Sequence, residues 1–210
     1  TNEKAGLTFP KQLRAILRQD PDVIYVGEIR DPETAEIAFR AALTGHLVFT
    51  TLHCNDAAGA VTRLLNMGVD PFLIASSVIG VLAQRLVRKV CKSCGQPYQP
   101  GLDELASLGL DPKSDEVIGA NFMKGAGCSE CDKSGYNGRY SVQELMLMDD
   151  TVRQLTLDRA PSTKIRQEAM SSPHNPMVPM RRDGAEKVMQ GITSVEEVQK
   201  RVFLEDFIEE

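Results

Sequence analysis

The 210-residue sequence contains no tryptophan, and only 5% of its residues are aromatic. This shortage argues against a binding surface for single-stranded nucleic acid, because such surfaces stack bases on aromatic side chains. Acidic residues outnumber basic ones by 29 to 24, so the formal net charge is −5. A protein that coats nucleic acid without sequence preference is usually basic. We therefore expect no nucleic-acid partner.

The sequence also lacks a long, uncharged apolar run. Its longest apolar stretch, residues 71–87, is interrupted by two serines, a glutamine and an arginine. It is also shorter than the roughly 20 apolar residues that cross a bilayer as a helix, so we expect a buried helix there. Neither an initiator methionine nor an apolar signal core stands at the N-terminus. We therefore expect a cytoplasmic piece of a longer protein in which Thr1 is a cut end.

The composition that remains is that of a globular protein, with 42% hydrophobic and 25% charged residues. In the first half of the chain, helix and strand patterns alternate. An amphipathic helix is predicted over residues 9–18, and the apolar run 23–26 is typical of a strand buried on both faces. A second helix, capped by Asp31 and ended by Gly45, precedes the β-rich run 47–52. This order predicts a parallel βαβ unit and an α/β fold.

Two polar side chains follow the predicted strands. Glu28 comes just after the first strand and His53 just after the second, and ligands of open α/β sheets bind beyond the carboxyl ends of strands. A carboxylate there suits magnesium–nucleotide chemistry, since it can hold metal-bound water or orient the attacking water. His53 would hydrogen-bond a terminal phosphate. The alternatives are a surface glutamate and a structural histidine, and for His46 we expect a structural hydrogen bond that fixes the helix-to-strand turn.

Three arginines form a further candidate element. Arg14 and Arg18 share a face of the first predicted helix, and Arg30 lies two residues after Glu28. The planar donor fork of arginine suits phosphate oxygens. A solvated basic helix face is the alternative explanation of the same residues.

Four of the five cysteines form two C-x-x-C pairs. Cys91 and Cys94 make the first pair, Cys128 and Cys131 make the second, and residues 95–127 separate them. Four thiolates can surround Zn²⁺ as a tetrahedron and leave no open position, so the spacing predicts a structural zinc site. Two redox pairs or four unliganded thiols remain the alternatives.

The segment after the second cysteine pair is predicted to be mostly helical. A β-rich run at 142–148 is expected to rejoin the main sheet. Helices are predicted over 151–157 and 162–170, and two overlapping capping boxes at 193–197 open a last helix. With the cysteines, these patterns predict three segments, namely an α/β core over 1–88, a four-cysteine zinc subdomain over 89–137, and a returning strand with a helical C-terminal region over 138–210.

Two long motifs resemble those of the type II secretion and type IV pilus assembly ATPases. Residues 17–31, LRQDPDVIYVGEIRD, are similar to the Walker B segment of that family. Residues 44–53, TGHLVFTTLH, are similar to its histidine box. Shorter landmarks stand at 83–86 and 138–145. The resemblance is close over residues 5–95 and patchy to about residue 203.

The resemblance implies the C-terminal part of a RecA-like P-loop NTPase core that works as a homo-hexameric ring and hydrolyses ATP with Mg²⁺. It implies that Glu28 is the Walker B acid and that His53 contacts the nucleotide. It also implies a role in phosphate contact or between subunits for four arginines: Arg14, Arg18, Arg30 and Arg139. The implied partners are inner-membrane platform proteins, through which the ATPase would associate peripherally with the membrane. The four-cysteine insert agrees, since many secretion ATPases carry one.

Several features depart from the family pattern. Cys54 stands where the family usually has threonine, and the family's acidic box is missing. Tyr140-Ser141-Val142 replaces a stretch that more often has a small residue, glycine and isoleucine. No Gly-Lys pair occurs anywhere, so the chain contains no phosphate-binding loop of the G-x-x-x-x-G-K-[ST] type. The resemblance places that loop upstream, and we expect the 210-residue chain to be inactive by itself. The alternative function is a non-enzymatic, zinc-stabilised docking or oligomerisation module.

Overall fold

The computed structural model describes residues 8–202, apart from the side chain of Phe9. The acidic C-terminal segment and the expected cut end at Thr1 lie outside the described residues. The described elements, in chain order, are α1 (Phe9–Leu17), β1 (Val23–Val26), α2 (Pro32–Leu43), β2 (Leu47–Thr50), α3 (Ala57–Asn66), α4 (Pro71–Ser77), β3 (Gly80–Val90), β4 (Gly95–Pro97), α5 (Leu102–Leu108), α6 (Asp115–Ile118), β5 (Met123–Gly125), β6 (Tyr136–Leu147), α7 (Asp150–Leu157), α8 (Ser162–Met170), α9 (Met180–Met189) and α10 (Val195–Val202).

The chain divides into two compact units. Unit 1 comprises the residues up to Val81 together with Leu145–Met177, and unit 2 comprises Leu82–Glu144 together with the residues from Val178 onward. These boundaries differ from those of the three predicted segments. They differ because segments far apart in sequence pack together, which local patterns do not reveal.

The predicted parallel βαβ unit is confirmed in unit 1. Strands β1 and β2 pair in parallel, with Ile24 opposite Val48 and Val26 opposite Thr50, and α2 connects them. The Asp31 carboxylate caps α2 by accepting a hydrogen bond from the Thr34 amide at 2.8 Å. Gly45 follows the helix with φ +103°, a conformation that glycine adopts without strain.

Strand β1 is buried on one face only. Ile24 and Val26 are 3% and 1% exposed, whereas Val23 and Tyr25 are 55% and 71% exposed. Burial on both faces was therefore a wrong prediction for the described residues. An apolar run shows that a strand is hydrophobic, but the number of faces covered depends on what packs against it.

The helix predicted over residues 71–87 is confirmed for residues 71–77 and is wrong beyond them. Helix α4 ends at Ser77, and strand β3 begins at Gly80. Val87 is fully buried while Leu82 and Leu86 are 57% and 47% exposed, so the run contains a two-residue period that its continuous apolar character conceals. Strand β3 pairs with β6 in a separate two-stranded sheet, and the prediction that residues 142–148 rejoin the main sheet is wrong as well.

Helices complete unit 1. Helix α2 packs against α1 and α4, α4 packs against α7, and α8 packs against both α7 and α3. The helices predicted over 151–157 and 162–170 are confirmed as α7 and α8. Arg153 donates hydrogen bonds to the carbonyl oxygens of Ala75 and Val78, at the end of α4. These bonds satisfy carbonyls that the helix itself leaves without donors. Among residues 8–202, no helix has the length and apolar character needed to cross a bilayer.

Unit 2 is centred on a hydrophobic core and a buried ion pair. The core includes Val87 of β3, Val142 of β6 and Val198 of α10. Beside it, the Glu197 carboxylate is 1% exposed. It accepts hydrogen bonds from Arg88, from the backbone amide at 3.1 Å, Nε at 3.0 Å and Nη2 at 2.7 Å.

Aromatic and hydroxyl groups extend this ion pair. The guanidinium of Arg88 lies 4.1 Å from the centre of the Tyr136 ring, a cation–π distance. The Tyr136 hydroxyl is 2.7 Å from Oγ of Ser194, the residue that precedes α10. The network therefore ties β3, β6 and the start of α10 together.

We predict that Glu197→Ala destabilises unit 2. The change leaves the Arg88 donors without their acceptor, and breaking a buried pair by removing one partner is strongly destabilising, so we expect a loss of about 2 to 4 kcal/mol. The Arg88 side chain is 39% exposed, so water can partly replace the lost carboxylate. We therefore expect a loss of stability below the largest values measured for broken buried ion pairs. Urea unfolding, followed by hydrogen exchange of unit 2 amides, measures it.

The matched control is Glu186→Ala, which removes a half-exposed partner of Arg182. Exposed pairs contribute less than about 1 kcal/mol. An equal loss of stability in the two variants would show that the Arg88–Glu197 pair stabilises the protein no more than an exposed ion pair does.

The same ion pair predicts a dependence of stability on pH. Burial alone would raise the pKa of the Glu197 carboxyl, but the hydrogen bonds and charge of Arg88 outweigh it and lower the pKa below its ordinary value of 4.5. The stabilisation is thus present above the unfolded pKa and is lost as pH falls through the folded pKa. We expect unit 2 to lose stability between about pH 5 and pH 3, more steeply in the wild type than in Glu197→Ala. Parallel pH series of urea unfolding test this, and identical slopes would contradict it.

Candidate functional site

Glu28 and His53 meet at one edge of the β1–β2 sheet. Parallel strands end at the same edge, and the last paired residues of the two strands are Val26 and Thr50. The chain beyond them places Nε2 of His53 3.1 Å from Oε2 of Glu28. The sequence placed each residue at a strand end, and the structure brings the two side chains into hydrogen-bonding contact.

Arg30 contacts the other oxygen of the same carboxylate. Its Nη2 forms an ion pair with Oε1 of Glu28. The hydrogen bond from Arg30 lowers the pKa of Glu28 below its ordinary value of 4.5, partial burial opposes this, and His53 lowers the pKa further. Glu28 is therefore ionised at neutral pH, which suits a base, an acceptor or a cation ligand rather than an acid.

Thr51 is a residue of this site that sequence patterns did not single out. It follows β2 directly, and its hydroxyl donates to the Gly27 carbonyl oxygen at 2.6 Å. Its own carbonyl oxygen accepts from the Ile29 amide at 3.1 Å. The available signal was its position near the end of the predicted strand 47–52, but only the pairing register shows which residue faces it.

The other predicted site residues lie elsewhere. Arg14 pairs with Glu33, in the first turn of α2, at 2.9 Å. Arg18 is exposed just after α1, and Arg139 is exposed on β6. Their roles stay predictions. His46 has the structural contact that we predicted for it, because its Nδ1 lies 3.0 Å from the Ala41 carbonyl oxygen.

The four paired cysteines form one cluster in unit 2. Their sulfur atoms all lie within 4.8 Å of one another. The separation is 3.9 Å between Cys91 and Cys128, 3.8 Å between Cys94 and Cys131, and 3.7 Å between Cys128 and Cys131. A disulfide needs about 2.05 Å, whereas a tetrahedron with metal–sulfur bonds of about 2.3 Å has edges of about 3.8 Å. The cluster fits a tetrahedral metal ion and not a pair of disulfides.

Backbone amides surround the sulfur atoms. Sγ of Cys131 accepts from the amides of Cys128 at 3.2 Å and Gly135 at 3.3 Å, and Sγ of Cys94 accepts from the Gly127 amide at 3.2 Å. The amide of Cys128 is the main cause that lowers the pKa of Cys131 to about 6. Burial raises the pKa of Cys94 to about 12. Four thiolates would share this place only with a cation that balances their charge.

The two arms of the loop that carries Cys128 and Cys131 approach each other so closely that only glycine fits. Gly127 has φ +90°, and a Cβ on it would lie 2.7 Å from the Lys133 carbonyl oxygen. Gly135 has φ +79°, and a Cβ on it would lie 2.7 Å from the Gly125 carbonyl oxygen. The loop of Cys128 and Cys131 is thus held in shape by close backbone contact as well as by its sulfur atoms.

Comparison with known sequences gives one consistent result. The model of a family described as type II/IV secretion system protein matches residues 1–200. The chain is 52% identical over 200 residues to the type IV pilus assembly ATPase PilB of Thermus thermophilus, covering 95% of this chain and 22% of that protein. It is 50% identical over 197 residues to type II secretion system protein E of Pseudomonas aeruginosa, covering 94% of this chain and 38% of that protein.

Solved structures agree with the sequence comparison. The pilus retraction motor PilT, solved with bound ADP, matches with a TM-score of 0.60 and 26% identity over 92% of this chain and 43% of that one. The ATPase DotB of Yersinia pseudotuberculosis matches with a TM-score of 0.62 at 20% identity, covering 92% of this chain and 40% of that one. At this identity, the match supports a similar fold and nothing further. The chain spans about a fifth to two fifths of the length of these two curated relatives.

Proposed function

Because the chain belongs to the type II/IV secretion system protein family, we propose that it is the C-terminal part of an ATPase motor for type II secretion or type IV pilus assembly. The observation that carries this proposal is the contact between Glu28 and His53 at the joined ends of two parallel strands. The motor would have a RecA-like core and act as a homo-hexamer. Platform proteins would hold it at the inner membrane.

In this proposal, each side chain of the candidate site has a role in ATP hydrolysis. The ionised Glu28 carboxylate accepts hydrogen bonds and can orient the water that attacks a terminal phosphate. His53 donates from Nε2 to Glu28 and can turn to a phosphate oxygen, because its side chain is 90% exposed. Mg²⁺, when bound with ATP, would neutralise phosphate charge near this carboxylate. The exposed arginines Arg14, Arg18, Arg30 and Arg139 would contact phosphates or neighbouring subunits.

The four-cysteine cluster supports a structural zinc site. Cys91, Cys94, Cys128 and Cys131 supply all four ligands, so no position is left open for chemistry. The ion would hold together the two loops that carry the cysteines. A second candidate function follows from the same cluster, because unit 2 is compact by itself. In this alternative, the chain is a zinc-stabilised docking or oligomerisation module without enzymatic activity.

Replacing Glu28 by glutamine tests its catalytic role. In the longer protein that contains a phosphate-binding loop, we expect Glu28→Gln to lower ATP turnover at least about a hundredfold. ATP binding should stay within about twofold, because the amide keeps the shape and loses only the charge that orients the water. His53→Ala should lower turnover less. Steady-state turnover and nucleotide-binding measurements check both expectations.

Two controls accompany this experiment. Glu36→Gln removes an exposed carboxylate of α2 that pairs with Arg40, and it should leave turnover unchanged. The 210-residue chain alone should show no turnover and sets the baseline. Wild-type turnover in Glu28→Gln would mean that Glu28 is only structural. The docking module would be the better description if the wild-type longer protein showed no turnover.

The metal site predicts about one zinc ion per purified chain, since four protein ligands close one structural site. Cys91→Ser should release the metal and loosen both loops. It should also loosen the turn between α9 and α10, because the Ile192 carbonyl oxygen accepts from the Val90 amide at 2.9 Å. Elemental analysis and hydrogen exchange measure these effects, and unit 1 should stay folded.

Cys54→Ser is the matched control, because Cys54 lies outside the cluster. It should keep the zinc. Less than about a tenth of an equivalent of zinc in the wild type, with a Cys91–Cys94 disulfide in its place, would overturn the metal site and favour a redox pair.

A further inference from the structure

Thr51 holds the chain on both sides of Glu28. Its hydroxyl donates to the carbonyl oxygen of Gly27, the residue before Glu28, at 2.6 Å. Its carbonyl oxygen accepts from the amide of Ile29, the residue after Glu28, at 3.1 Å. One residue at the end of β2 therefore fixes the backbone that carries the carboxylate.

We propose that Thr51 is a positioning residue that aims the Glu28 carboxylate at His53, and this proposal rests on the function proposed above. The pairing of β1 with β2 ends at Val26 and Thr50. Beyond that point, regular strand pairing no longer holds residue 28. The two hydrogen bonds of Thr51, to Gly27 and Ile29, connect the chain around Glu28 to the end of β2.

The side chains around Glu28 cannot supply this rigidity. The side chains of Arg30 and His53 are 75% and 90% exposed, and exposed pairs of this kind hold geometry weakly because water competes with them. Gly27, on the other side, has open space where a Cβ would be and adds freedom to the chain. The backbone contacts of Thr51 remove that freedom.

The neighbouring threonine offers a matched comparison. Thr50 is also exposed, but its hydroxyl lies 3.5 Å from the Thr51 carbonyl oxygen, which is at the limit for a hydrogen bond. Replacing threonine by valine keeps the branched shape and removes only the hydroxyl. Thr51→Val thus deletes the bond to Gly27, Thr50→Val deletes almost nothing, and Thr51→Ser retains the hydroxyl.

The first measurement uses the 210-residue chain and does not depend on turnover. Nitrogen chemical shifts of His53 report which ring nitrogen carries the proton, and the contact with Glu28 favours the proton on Nε2. We expect Thr51→Val to shift His53 toward a mixture of the two neutral forms, while Thr51→Ser and Thr50→Val keep the wild-type signature. Thermal unfolding of the same samples shows whether each variant is folded.

The second measurement uses the longer protein with its phosphate-binding loop. Misplacing a catalytic group by a fraction of an ångström to one ångström costs about ten- to a hundredfold in rate, so we expect kcat of Thr51→Val to fall by that factor. KM for ATP should stay within about twofold, because Thr51 acts on the carboxylate and not on nucleotide binding. Thr51→Ser should restore kcat.

The outcomes separate this proposal from the function on which it rests. Wild-type kcat and a wild-type His53 signature in Thr51→Val would overturn the positioning role even if Glu28→Gln abolishes turnover. Equal effects of Thr51→Val and Thr50→Val would overturn it too. If Glu28→Gln leaves turnover unchanged while Thr51→Val alters the His53 signature, Thr51 does position Glu28 and the catalytic role proposed for Glu28 is wrong. No turnover in the wild-type longer protein would overturn the proposed function itself.

Discussion

Parallel strands end at the same edge of a sheet. The pairing of β1 with β2 therefore brings the residues of the candidate nucleotide site together at one edge. The register that sets Val26 opposite Thr50 places Glu28 and His53 in contact. It also sets Thr51 against the backbone on both sides of Glu28. A shift of the register by one residue would exchange the faces of the strand and separate these groups. The site therefore depends on the core side of β1, where Ile24 and Val26 are buried.

Unit 2 depends on a different kind of constraint. Its sheets have two strands each, and a two-stranded sheet is only marginally stable by itself. Cross-connections compensate for this. The four cysteines draw two loops together, the Arg88–Glu197 pair joins β3 to α10, and the Ile192 carbonyl joins the turn before α10 to the strand that leads into Cys91. The cysteine cluster and the C-terminal helices are thus parts of one structure, although the sequence predicted them in separate segments.

Local patterns predicted the elements whose cause is local. Asp31 and Gly45 mark the ends of α2 because a cap and a left-handed residue act within a few positions of the chain. The two C-x-x-C pairs were recognisable because cysteines that bind zinc from one loop typically have two to four residues between them. The pattern for α7 and α8 was confirmed because each helix has one apolar face and a clear start. The strand from Gly80 to Val90 was missed because a continuous apolar run carries no period to separate helix from strand.

The sequence by itself singled out the candidate residues, among them a carboxylate, a histidine and four thiols, and it placed Glu28 and His53 after their strands. Only the tertiary structure decided which of them meet. The contact of Glu28 with His53 comes from strand register, the role of Thr51 comes from its position across the sheet, and the division into two units comes from packing between distant segments. These depend on contacts between residues 24 to 109 positions apart in the chain, and neither a periodicity nor a short motif in the sequence predicts contacts over such separations.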